Sequence, residues 1–358
     1  MSFHEILIAV MAAFAVLGAL DRIFGNRWGL GKEFEEGILA MGSLALAMVG
    51  IVCLAPVLAN VLKPVVVPVY SFLGADPAMF AGTILACDMG GGALAMQLTE
   101  DANAALLGGV LTGSMLGATI VFTLPVAMGI LKEEDRPAMA KGILCGIVTI
   151  PLGVFAGGLA AGFSVGMVAR NCIPIVLIAV LIALGLWRAE KAMVKGFEIF
   201  GKFVVTVVTV GLAAAIVEAL TGYAILPGMA PISEGFATVG TIAIILAGAF
   251  PLVFVLTRIL RNPLMAAGRR LGINDAAAAG LIASLANSIA TFGLVKDMNP
   301  RGKVVNIAFA VSAAFVFGDH LGFTAGFAPE MIGPMIIGKL VGGVSAVALA
   351  MWLTRKDN

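Results

Sequence analysis

Charge is what this sequence has least of. Only 12% of its 358 residues are Asp, Glu, Lys or Arg, and the formal net charge is +1. A water-soluble globular chain carries about a quarter charged residues. A soluble domain is thereby excluded, and no charge excess calls for nucleic acid or an acidic partner. Cys53, Cys87, Cys145 and Cys172 are the four cysteines, and no two stand in a C-x-x-C spacing. That leaves no disulfide framework and no structural zinc set, so no metal or cofactor is expected. A phosphate-binding glycine loop, a serine-centred elbow and an H-E-x-x-H helix are also missing. The start, Met1-Ser2-Phe3-His4-Glu5, has no basic n-region, so the first apolar run is expected to be a retained span.

What fills the space is apolar: 61% hydrophobic residues and 45 glycines. Small residues let helices approach closely in a bilayer. A bilayer core needs about 20 apolar residues per helix. On that rule eleven runs stand out: 3–21, 38–62, 77–99, 104–131, 139–163, 172–187, 203–222, 236–257, 276–295, 304–326 and 334–353. The predicted fold is an all-α polytopic membrane protein in a lipid bilayer. The connections 188–202 and 258–275 are the longest polar stretches between the later runs.

Basic residues decide how many runs cross. Cytoplasmic connections concentrate Lys and Arg. The connections 258–275 and 296–303 are both basic, with only run 276–295 between them. The connections 63–76 and 98–103 are both poor in base, with only run 77–99 between them. If those two runs leave on the side they entered, 19 basic residues fall inside, and only Lys63, Arg170 and Lys339 of the 22 fall outside. The reading is nine crossings and two re-entrant hairpins, with eleven full spans as the alternative.

An internal repeat favours the hairpins. Phe3 faces Phe203, Pro64 faces Pro263, and Leu73-Gly74 faces Leu271-Gly272. Asp76 faces Asp275, Gly82 faces Gly280, Ser114 faces Ser312 and Lys141 faces Lys339, all at an offset of 198 to 200. The expected organisation is a first membrane repeat over 1–170, a linker span and cytoplasmic loop over 171–200, and a second repeat over 201–358. Four crossings per repeat plus one linker crossing invert the second copy. That is the signature of many secondary transporters, with the site near the midplane.

Two stretches carry chemistry. Ala86-Cys87-Asp88-Met89-Gly90-Gly91-Gly92-Ala93 sets a carboxylate beside three glycines in run 77–99. Unwound backbone in lipid must be buried in protein or line a cavity, and an intramembrane acid marks a site by default. The bland alternative is a packing joint. At the matching break of run 276–295, Asn287 and Ser288 offer neutral donors and acceptors. The second stretch is Phe317-Gly318-Asp319-His320-Leu321-Gly322-Phe323. Neighbours on a helix do not face each other, so Asp319 and His320 need unwound backbone to act together; a structural pair is the alternative. The candidate binding set is Asp88, Gly90, Gly91, Asn287, Ser288, Asp319 and His320, suited to a small cation that carries a hydroxyl. Cys87, beside Asp88, is expected to meet water when the site opens outward.

These two stretches, with the length and order of the runs, resemble the ethanolamine utilisation permease family. The resemblance covers essentially the whole chain. It implies a bacterial inner-membrane protein that brings in ethanolamine, a protonated primary amine at neutral pH, for breakdown by cytosolic enzymes. It assigns no binding residue. Other functions stay open at this level: a carrier of another small solute such as an amino acid, a passive channel, or an intramembrane enzyme. An enzyme would have only Asp319 and His320 to work with, so none is expected. A homo-oligomer is compatible with such a chain.

Overall fold

A computed structural model of the chain describes residues 3–355, so Lys356 of the basic tail lies outside the described residues. No strand occurs among them. Seven helices are long and apolar enough to cross a membrane, by length and composition. Helix α1 is Phe3–Ile23 and α2 is Leu30–Phe72. A first broken pair follows, α3 (Ala78–Ile84) and α4 (Gly91–Leu98). Next come α5 (Ala102–Leu106), π-helical backbone over Leu107–Gly117 and Thr119–Thr123, and α6 (Leu124–Ile130). The long helices α7 (Arg136–Ala160), α8 (Val165–Thr221) and α9 (Ile232–Arg270) come after. A second broken pair, α10 (Asp275–Ala286) and α11 (Ser288–Leu294), precedes α12 (Pro300–Ala313), α13 (Asp319–Phe327) and α14 (Ile332–Leu353).

Both broken pairs fold back on themselves. The Thr99 hydroxyl donates to Asp76 at 2.8 Å, so the end of the first pair meets its beginning. In the second, the Asn274 amide donates to the Asp297 carbonyl at 2.8 Å and the Asn299 amide to the Gly272 carbonyl at 3.0 Å. The arms are seven to twelve residues long. At about 1.5 Å per residue, none reaches across a core of about 30 Å.

Helices outrun the apolar segments that seeded them. The polar connection expected at 188–202 is helical within α8, which bends at Ala189 (φ −143°, ψ 47°). Most of the stretches 63–76 and 258–275 continues α2 and α9. Polar residues mark where a helix leaves apolar surroundings, not where its hydrogen bonding stops. Lys339, assigned to the outer surface by the charge tally, lies inside α14 and is 1% exposed.

The core is built on α2 packed against α9 and on α7 packed against α14. Gly37 of α2 lies on the backbone of Ala247, and Gly235 of α9 lies on Val49, so these two helices run antiparallel. Gly153 and Gly338 make the equivalent close approach between α7 and α14. A side chain at any of these glycines would overlap its neighbour, which is how so many glycines serve close packing in lipid. The broken pairs sit within this frame.

Candidate functional site

The first break starts where α3 runs out of helix. Leu85 and Ala86 are extended, at φ −126° and −64°, and a tight turn carries Cys87, Asp88 and Met89. Gly90 then takes φ +93°, a left-handed value that glycine adopts without strain. The Ala86 carbonyl accepts the amides of Met89 at 3.1 Å and Gly91 at 2.9 Å, which closes the turn. Asp88 is thereby held at the tip rather than along a helix face.

A third break, not expected within run 304–326, faces it. Residues 314–318 separate α12 from α13, with Phe315 at φ +63°. The Phe315 and Phe317 amides donate to the Ser284 and Leu285 carbonyls at 3.1 and 2.9 Å. These carbonyls belong to the last turn of α10, which has no helical partner for them. The C-terminus of α10, the first arm of the second broken pair, thus holds the α12–α13 break open, and Asp319 and His320 begin a new helix there.

The three breaks bring the acids together. Asp88, Asp319 and His320 line one cavity of about 40 Å³, with Ala86, Met89, Ala118, Phe122 and Phe315 as the rest of its wall. His320 Nε2 lies 3.8 Å from Asp88 Oδ1, beyond hydrogen-bond length but within ion-pair reach. The Asp319 carboxylate makes no hydrogen bond or ion pair among the described residues. The Phe122 and Phe315 rings meet edge to face at 5.4 Å, and Phe315 lies 5.2 Å from the His320 ring. Carboxylates with aromatic faces suit an organic ammonium.

Lys339 stands behind His320. Its Nζ lies 3.0 Å from His320 Nδ1 and donates to the Ser114 carbonyl in the π-helical stretch. With Lys339 as an ammonium, which has no lone pair, Nδ1 accepts and the ring proton sits on Nε2, toward Asp88. Lysine, imidazole and carboxylate form a line from α14 through α13 to the tip of the first broken pair. Cys87, Asp88 and His320 also hold ligand atoms within 4.8 Å of one another. A metal ion there would face the Lys339 ammonium, which disfavours it electrostatically.

Of the residues expected at a site, Asp88, Asp319 and His320 share the cavity wall, whereas Gly90 and Gly91 shape the turn behind it. Asn287 and Ser288 do not line it. Asn287 caps α11 through the Ile289 amide at 2.7 Å, and Ser288 is fully buried with an unpartnered hydroxyl. Cys87 is fully buried in this conformation, so it meets no water here. Sequence reasoning missed Lys339, Phe122 and Phe315. For Lys339 a signal existed: a lysine five residues inside an apolar run is as costly as Asp319. No signal marked the two phenylalanines, which are ordinary residues in a membrane chain.

A wider groove of about 920 Å³ adjoins the cavity, and Met89 and Phe122 belong to both walls. Its outer part carries Arg136, Glu198 and Lys202.

The family model for "Ethanolamine utilisation protein, EutH" matches residues 3–353. A probable ethanolamine permease EutH of Listeria monocytogenes is 60% identical over 99% of this chain and 95% of its own length. An uncharacterised protein, YxeR, of Bacillus subtilis is 52% identical over 99% of this chain and 96% of its own length. A probable ethanolamine permease EutH of Salmonella typhimurium is 48% identical over 100% of this chain and 97% of its own length. No solved structure matches the chain.

Proposed function

The chain belongs to the EutH family of ethanolamine utilisation proteins, and from that premise we propose that it carries ethanolamine across a bacterial inner membrane into the cell. The observation that carries this reading is the pair of carboxylates, Asp88 and Asp319, on one small cavity with aromatic walls. The ammonium of ethanolamine sits between them and against Phe122 or Phe315. Its hydroxyl finds the His320 ring or the free backbone of the break. The reading is that of a transporter: the cavity offers a counter-charge for a cation.

Alternating access rests on two inverted halves, residues 1–170 and 201–358, joined by 171–200. Paired contacts support it. Gly37 against Ala247 and Gly235 against Val49 are one contact repeated at an offset of 198. Gly50 meets the Val208 carbonyl, and Gly248 meets the Met11 carbonyl. Gly74 and Gly272 are both left-handed, at φ +68° and +71°. Antiparallel packing of equivalent helices that cross a bilayer puts the local two-fold in the membrane plane, as inverted transporter repeats require. The two folded-back pairs are then re-entrant, and the basic outer part of the groove lies on the cytoplasmic side.

Uptake of labelled ethanolamine into proteoliposomes tests the reading. Wild type is expected to take it up above the protein-free baseline, with unlabelled ethanolamine competing and amino acids not. Asp88→Asn is expected to lower uptake roughly thirtyfold or more, the effect of removing one partner of a desolvated charge pair, while inserting normally. Normal uptake by a well-expressed Asp88→Asn protein would rule out its role as counter-ion.

A further inference from the structure

The hydrogen bonds around the cavity allow its charge to be counted. The turn at Cys87–Met89 contributes Cys87 and Asp88, α13 contributes Asp319 and His320, and α14 contributes Lys339. Among the described residues, the other elements packed there present no titratable side chain to the cavity. From α2 it is Ile51 against Gly90, from α9 Leu246 against Gly322, and from the π-helical stretch the Ser114 carbonyl. Taking Lys339 as the ammonium donor of this contact, His320 accepts and is neutral. Two carboxylates and one ammonium remain, a net charge of −1. A bound substrate ammonium brings the site to zero.

A carrier must also return without its substrate. Reorienting a site with one uncompensated charge at bilayer depth meets a large desolvation penalty. Two like charges on one small cavity call for a cation between them. The empty cavity has room for a few water molecules at about 10–15 Å³ each. Hard metal cations want a cage of oxygens, and Ala86, Met89, Ala118, Phe122 and Phe315 supply no such side-chain oxygens. A proton needs one carboxylate oxygen.

We propose that a proton is the counter-substrate of this site: Asp319 binds it on the empty carrier and releases it when the substrate ammonium arrives. This rests on the reading of the cavity as an amine site. Outside, the ammonium enters and the proton leaves the Asp319 carboxyl for water. Inside, the ammonium leaves and a cytosolic proton bonds to the carboxylate. No electrons move, and one positive charge crosses each way. The net result is entry of one neutral amine equivalent, which runs downhill while a cytosolic reaction consumes the amine.

The test uses the full-length protein in proteoliposomes with labelled ethanolamine, a lumenal pH dye, and a potassium diffusion potential of about 100 mV, inside negative. An uncompensated monovalent cation would accumulate about fiftyfold under that potential. Exchange predicts an accumulation ratio changed less than twofold, and a lumen that turns alkaline in step with entry, above the protein-free baseline. Potential-driven accumulation, or an absolute requirement for sodium, would overturn the proposal and leave ethanolamine transport standing. No protein-dependent uptake or exchange would overturn both. Asp319→Asn gives a neutral empty site and a loaded site of +1, so its remaining transport is expected to become potential-driven. An active Asp319→Asn protein that ignores the potential would overturn the assignment to Asp319; if that variant does not fold, the wild-type measurement decides.

Discussion

Gly90 is where the first broken pair turns, and two independent constraints meet there. Its φ of +93° is one that L-residues adopt only with strain, and a Cβ would overlap the Ile51 side chain. The left-handed backbone alone costs an L-residue roughly 1–2 kcal/mol. Gly90→Ala is therefore expected to lower thermal stability in detergent, and to lower uptake further by shifting Asp88. A variant with unchanged melting and uptake would show that the turn tolerates another geometry. Asp88 and Asp319 could be picked out by cost, because an acid in an apolar run is expensive wherever it lies. Lys339 obeys the same rule, yet a long lysine near a span end can also snorkel to the interface. Its burial is set by His320 and the Ser114 carbonyl, 19 and 225 residues away in the chain.

At the scale of elements, the two folded-back pairs bind the topology. Asn274 and Asn299 bridge the beginning and end of the second pair, so α9 ends where α12 begins. Reporter fusions at about residues 268 and 300 are expected to report the same side, the cytoplasm. Opposite sides would restore eleven full spans and remove the inverted halves. The break in 276–295 was readable from Asn287 and Ser288, which interrupt the apolar pattern. The break at 314–318 was not readable in its position. Ala314, Phe315, Val316 and Phe317 look like ordinary span residues, and the chain unwinds there because the end of α10 needs donors for its carbonyls.

At the scale of the whole molecule, this conformation has a small cavity beside a wider groove, with Met89 and Phe122 in both walls. Cys87 reports on that state. It is fully buried, and Gly113 packs directly on it. A protein retaining only Cys87 is expected to react slowly with a small impermeant thiol reagent. Labelling should be faster in inside-out than in right-side-out vesicles, with saturating ethanolamine slowing both. Faster labelling from outside would place the open path on the other face. Labelling indifferent to ethanolamine would move the substrate away from Asp88.

Composition and the spacing of apolar runs were enough to determine a helical membrane chain, its interrupted segments and two of its costly acids, because lipid penalises each polar group locally and each residue answers for itself. The proposed repeat rests on the same kind of signal: similar local features at an offset of 198 to 200. Which charges meet depends on where the interruptions come to rest against one another. Asp88, Asp319 and Lys339 lie far apart in the chain and share one site only because α2 packs on α9, α7 on α14, and the end of α10 holds α12 and α13 apart. Those are long-range contacts between surfaces of similar apolar composition. Their choice is made by the fit of glycines and side chains in three dimensions, which no single stretch of sequence encodes.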